Sequence, residues 1–129
     1  MNRFRSWKKP VFDEDGWVYP DYFCKQHKIH QYGWRCQYPD ELKLGKNVDI
    51  GCFTYINAKY GVEIGDNVQI GSHCSIYSED TERGVKGRVV IEDDVLIGAH
   101  TVILPGAHIK KGNKIPIGSV IKGEHEKPL

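Results

Sequence analysis

The residues best equipped for chemistry fall into three groups along the chain. His73 and His100 sit in near-identical contexts, IGSHCS and IGAHTV. An imidazole in either place serves as a base, as a hydroxyl ligand or as a polar filler at a corner. With His108 they make three imidazoles, the number a catalytic zinc takes beside one open position. A second possible zinc set, Cys24, His27, His30 and Cys36, is written C-x2-H-x2-H-x5-C. That spacing matches no familiar site, so buried thiols and surface histidines explain it equally well. The third group, Glu79, Asp80, Glu82 and Arg83, crowds the polar stretch SEDTERGVKGRV. Its side chains either meet a ligand or form an ordinary solvated loop.

The elements that must position these groups follow from the chain as a whole. It has 129 residues, enough for one domain with a modest core. Eighteen Lys and Arg against seventeen Asp and Glu leave a formal charge of +1, which gives no global field for drawing in nucleic acid. Mean hydropathy is −0.50, and no apolar run reaches the roughly 18 residues that a membrane helix needs, so no membrane insertion is expected. The opening MNRFRSWKKPVFDEDG has basic residues but no apolar core after them, unlike a secretory signal. A cytoplasmic protein with reduced thiols is the expectation. Fourteen glycines and six prolines suit a chain that turns often.

From Leu44 onward an aliphatic residue recurs at every sixth position: LGKNVD, IGCFTY, INAKYG, then IGDNVQ, IGSHCS, IYSEDT, then IEDDVL, IGAHTV, ILPGAH, IKKGNK and IPIGSV. The fifth position is mostly small or β-branched, as at Val48, Thr54, Val68, Cys74, Val95, Thr101, Ala107 and Ser119. Three short strands of about six residues make one triangular coil, and coils stack by parallel pairing at about 4.8 Å. The leading aliphatic points inward, the small residue fills the corner, and stability comes from stacked neighbours. The spacing therefore predicts an all-β chain, a left-handed parallel β-helix of hexapeptide repeats over 44–124. An irregular, aromatic-rich segment over 1–43 caps one end, and 125–129 form a tail.

With coils starting at Leu44, Ile64, Ile91 and Ile109, the fourth positions read Asn47, Asn67, Asp94 and Gly112, residues that tolerate a left-handed backbone. The same offset on the next face reads Phe53, His73, His100 and Gly118. That second series is expected to be less constrained by the backbone and free for other work. The register breaks at Lys59 and Tyr60 and again over 77–90, where an inserted loop is expected on the functional face. Cys52 and Cys74 are expected inside the prism. Trp7, Trp17, Tyr19, Tyr22, Phe23, Tyr32, Trp34 and Tyr38 are expected to cover the open coil end rather than to stack on a nucleotide.

The segments IGDNVQIGSHCSIYS and IEDDVLIGAHTVILPGAHI resemble hexapeptide-repeat acyltransferases, above all sugar-modifying acetyltransferases of surface-glycan pathways. The similarity spans roughly 44–122. It implies a homotrimer with active sites in the clefts between neighbouring prisms, acetyl-CoA as acyl donor and a sugar or nucleotide-sugar as acceptor. Lys110, Lys111, Lys114 and Lys122 would meet CoA phosphates, or form a solvated face, with Gly98 and Gly118 beside the cofactor.

O-acetyltransferases of the galactoside and maltose type carry a histidine base after a segment like IYSEDTERG, and this chain has none there. An amine needs less base assistance than a hydroxyl, so the likeness points to sugar-nucleotide N-acetyltransferases. Glu79, Asp80 and His73 would then hold the acceptor ammonium and take its proton. Asn57, Tyr77, His100 and Arg83 would contact the acceptor. The alternatives are an O-acetyltransferase with His73 as base, a non-catalytic trimeric scaffold, and a metal enzyme of the γ-class carbonic anhydrase kind, although His108 ends a different face from His73 and His100.

Overall fold

The computed structural model describes residues 29–30 and 32–123. Within them the chain winds as a three-sided parallel β-solenoid of short strands, with one 3-10 turn at Pro39–Glu41. The first face stacks β1 (Arg35–Gln37), β4 (Tyr55–Asn57), β7 (Ser75–Tyr77), β12 (Val102–Ile103) and β15 (Val120–Ile121). The second stacks β2 (Leu42–Leu44), β5 (Val62–Ile64), β10 (Val89–Ile91) and β13 (His108–Ile109). The third stacks β3 (Asp49–Ile50), β6 (Gln69–Ile70), β11 (Leu96–Ile97) and β14 (Lys114–Ile115). Every contact between coils is parallel and keeps the hexad register, so that Ile56 lies on Ile76 and Ile76 on Ile103.

The interior is the column of leading residues that the spacing predicts. Ile50, Ile56, Ile64, Ile70, Ile76, Ile91, Ile97, Ile103 and Ile109 are buried, and so are Val48, Thr54, Val68, Cys74, Val95, Thr101 and Ala107 at the fifth positions. Each methylene so buried contributes about 0.8 kcal/mol. Stacking, not local propensity, holds strands that are only two or three residues long. The Thr54 hydroxyl stays inside because it donates to the Gly71 carbonyl at 3.0 Å and accepts the Cys74 amide at 3.2 Å. Burial pushes the Cys74 thiol up, with hydrogen bonds opposing. Cys52 differs from expectation in being only half-buried.

Parallel stacking begins before residue 44. The strand Arg35–Gln37 pairs with Tyr55–Asn57, which places Cys36 on Ile56 in the core. Tyr32 and Trp34 are buried in the same cluster, with Trp34 stacked on His30 at 4.1 Å. No hexad announces this strand, because Cys36 stands in register where later coils carry Ile56, Ile76 and Ile103. The other aromatics expected to cap the solenoid, from Trp7 to Phe23, lie outside the described residues.

Three edges separate the faces. Between the second and third faces run Asn47, Asn67, Asp94 and Gly112, and between the third and first run Phe53, His73, His100 and Gly118; all eight have positive φ, from 57 to 77. The expectation that the second series escapes backbone constraint is therefore corrected. Both edges make the same tight left-handed turn, and the histidines bear that conformation as fully as the asparagines do. Both register breaks fall on the remaining edge, between the first and second faces. There the inserted stretch is an antiparallel hairpin of β8 (Glu79–Asp80) and β9 (Val85–Lys86), pairing Glu79 with Lys86 and Asp80 with Val85. The Gly87 amide closes its base on the Ser78 carbonyl at 2.9 Å, and Val85 tucks underneath.

Candidate functional site

On the first face, side chains alternate inward and outward, so the register decides which outward groups meet. Gln37, Asn57, Tyr77, Leu104 and Lys122 form one column, and Arg35, Tyr55, Ser75, Val102 and Val120 form the column beside it. The hairpin rises at the end of this face. It encloses a cleft of about 450 Å3 with Tyr55, Tyr77 and Asn57 on one side and Glu79, Asp80 and Glu82 on the other. Two phenol rings, 5.7 Å apart, thus meet three carboxylates in one concavity. This suits a polyhydroxylated ligand that carries a positive charge.

The side chains in the cleft divide into those that build it and those free to act. Asp80 builds. Its carboxylate accepts the Arg83 Nε–H at 2.8 Å and the amides of Glu82 and Arg83 at 3.1 and 3.3 Å. Those bonds, the Arg83 side chain first, hold its carboxyl below the usual carboxylate range, which makes it a poor proton acceptor. Arg83 is engaged in the same knot, so the pair named from sequence as catalytic and substrate-binding locks the hairpin turn. Asn57 also builds: its Oδ1 accepts the Lys59 amide at 3.1 Å and the Ser78 hydroxyl at 3.4 Å, which fixes the bulge at Lys59 and Tyr60. The Glu79 carboxylate is left more open: among the described residues it meets Lys59 Nζ, at 3.8 Å. Tyr77 and Glu82 also face the cleft.

Sequence reasoning missed Tyr55 and Gln37. The Tyr55 hydroxyl bonds Gln37 Oε1 on the cleft floor, and burial pushes the phenol up, with a hydrogen bond from Asn57 opposing. The signal was present in the repeat, because Tyr55 and Tyr77 occupy outward positions of stacked strands. It required knowing that Gln37 lies beneath Asn57 in the column of Tyr77, beside the column of Tyr55.

The remaining nominated residues lie on the other two edges or on the third face between them. His73 and His100 stack at 4.8 Å and 7° on the edge between the third and first faces, with the Phe53 ring 5.0 Å from His73. Lys110 and Lys111 stand at the opposite edge, and Lys114 lies on the third face. Within one chain the histidines, the acidic cleft and the lysines therefore do not form one pocket. Gly118 lies on the histidine edge in open space. Gly98 has a packing reason to lack a side chain, since a Cβ there would meet the Ile117 amide at 2.5 Å.

Metal chemistry finds no assembled ligand set among the described residues. His108 lies on the second face with Nε2 2.5 Å from the Glu92 carboxylate, away from His73 and His100. That bond, with the Lys111 amide, holds the Glu92 carboxyl below its usual range. Of the N-terminal set, Cys36 is inside the core and His30 Nδ1 accepts the Tyr32 amide at 3.1 Å. Cys24 and His27 lie outside the described residues. A scan of the chain against family models finds no match. No described helix is long and apolar enough to cross a membrane.

Proposed function

We propose that the chain is an acyl-CoA-dependent acyltransferase that moves an acetyl group onto the amine of a sugar or nucleotide-sugar, working as a homotrimer. The observation that carries this reading is the cleft of the first face, where the rings of Tyr55 and Tyr77 meet Glu79 and Glu82 across a hairpin held by Asp80 and Arg83. Aromatic faces pack against a sugar's C–H surface, and the carboxylates favour an ammonium over a neutral hydroxyl. The repeat supports it too, through its likeness to sugar acetyltransferases.

In this reading the acceptor binds as an ammonium, loses one proton to Glu79 and presents a neutral amine. Its lone pair attacks the thioester carbonyl carbon, backbone amides hold the oxyanion, and collapse breaks the C–S bond. CoA leaves as the thiolate and takes up the second amine proton, giving amide and free thiol. In such a trimer a lysine-bearing or histidine-bearing edge of one prism would lie over the neighbour's cleft, joining groups that a single chain keeps apart. Lys110, Lys111 and Lys114 would then meet the phosphates of CoA, with His73 and His100 lining the junction.

The test is thiol release from acetyl-CoA against a panel of amino sugars, their nucleotide conjugates and the matching hydroxyl sugars. The expected result is release with the amines only, lowered about 100-fold in Glu79→Gln and largely kept in His73→Ala. Release with hydroxyl sugars that collapses in His73→Ala would replace N-acylation by O-acylation. No release with any acceptor, from a folded trimer, would favour a scaffold.

A further inference from the structure

The edge between the third and first faces carries a ladder of rings that stops one rung short. Phe53, His73 and His100 follow one another in strict register, each amide bonded to the coil below. Their centroids are 5.0 and 4.8 Å apart, close to the spacing of the coils themselves. The pair nearest the end, His73 and His100, is stacked with its planes almost parallel, at 7°. The fourth rung belongs to Gly118. Its φ of 74 repeats the turn, its amide bonds the Ala99 carbonyl at 2.9 Å, and a Cβ there would meet nothing within 4 Å. The backbone of the ladder therefore continues while its ring is missing, and no described residue covers the outer face of the His100 imidazole. Beside the gap, Ile117 and Val120 are the most and third most exposed large apolar side chains described outside the N-terminal segment, at 75 % and 60 %.

We propose that this open rung is a stacking site for a nucleobase. A ring about as thick as the imidazole it replaces fills one coil spacing, lies on His100 and covers Ile117 and Val120, while its polar edge stays in water. A nucleobase has that shape, and its π-face stacks without needing a hydrogen-bond code. The base has two possible sources, the adenine of an acyl-CoA or the base of a nucleotide-sugar, and the isolated nucleosides tell them apart. The naming of these sources rests on the acyltransferase reading, whereas nucleoside binding at the rung is read directly and does not involve thiol release.

The experiment is an NMR titration of the full chain, labelled at histidine, with adenosine, uridine and ribose. His73 and His100 signals are assigned through the His73→Gln and His100→Gln variants. The expected result is a saturable shift at His100 that exceeds the shift at His73, with none at His108 and none from ribose. A stronger response to adenosine assigns the rung to the acyl donor, and a stronger response to uridine assigns it to the acceptor. Gly118→His adds the missing ring in a conformation that His73 and His100 already adopt, and it should weaken nucleoside binding at least about ten-fold. Should that variant not fold, ligand-observed saturation transfer must be lost in His100→Ala instead. A silent His100 at millimolar nucleoside, equal shifts from ribose, binding undiminished in Gly118→His, or saturation transfer retained in His100→Ala would each overturn the proposal.

Discussion

Two edges of the same prism make the same left-handed turn with different side chains. On one, Asn47 Nδ2 donates to Asn67 Oδ1 at 2.9 Å and Asn67 Nδ2 to Asp94 Oδ1 at 3.3 Å. Beside it the Lys46 amide donates to Asp66 and the Asp66 amide to Asp93, at 2.8 and 2.7 Å. Those side chains are spent on pinning one coil to the next. On the other edge, the turn is equally tight at Phe53, His73 and His100, yet the ring contacts there among the described residues are with one another, tilted for Phe53 on His73 and stacked for His73 on His100. The backbone demand is common to both edges, so it does not explain why imidazoles stand where amides serve elsewhere. A polar side chain that bears left-handed strain without bonding the fold is the one whose identity function is free to set.

The contrast can be broken at four points. The largest effect on turnover is expected in the cleft, where Glu79→Gln should slow thiol release about 100-fold while leaving the melting temperature unchanged. An unchanged rate would remove Glu79 as proton acceptor. The largest effect on stability should come from the core common to both edges. Ile97→Ala, on the face between them, is expected to cost about 2–5 kcal/mol in urea unfolding, and a smaller loss would mean that the coils are held mainly by their edges.

The third point compares the edges directly. Asn67→Gly trades relief of the turn against glycine entropy and also loses two side-chain hydrogen bonds, for a net loss of about 1–2 kcal/mol. In His73→Gly the relief of about 1 kcal/mol is offset by the entropy of a glycine, about 0.5–1 kcal/mol. Its stability should therefore stay within about 0.5 kcal/mol of the parent. Equal losses in the two variants would show that the rings, too, hold the coils together.

The smallest effect lies at the hairpin. Asp80 has its carboxyl lowered in the folded chain by Arg83. Its contribution is therefore present above the unfolded carboxylate value and is lost as pH falls through the lower folded value. The exposed ion pair limits this to below about 1 kcal/mol. Unfolding followed from pH 6 down to pH 2 should show that loss in the parent and not in Asp80→Asn. A parent profile identical to the variant's would remove the turn lock.

Much of the fold was legible because the repeat states it. An isoleucine at every sixth place, with Val68, Cys74 or Val95 four positions on, names the interior without any long-range information. The hairpin was legible only as an interruption. Glu79 and Lys86 pair through a turn that Gly84 makes with φ 68, and nothing in SEDTERGVKGRV alternates strongly enough to announce two strands. The cleft was legible in part. Tyr77 and Glu79 were visible beside the break, whereas Gln37 and Tyr55 depend on the stacking of Arg35–Gln37 beneath Tyr55–Asn57, and that coil carries cysteine and leucine in place of isoleucine. The roles of Asp80 and Arg83 depend on hydrogen bonds within one turn, which composition does not reveal.

The measurement that bears most directly on acyl transfer is a thermal-shift titration of the full chain with acetyl-CoA, free CoA and a control nucleotide. A ligand of the folded state raises Tm as its concentration passes Kd. The expected result is a saturable rise with acetyl-CoA and CoA that the control nucleotide does not match. An unmoved Tm at millimolar acetyl-CoA, in a chain shown to be folded and trimeric, would contradict it.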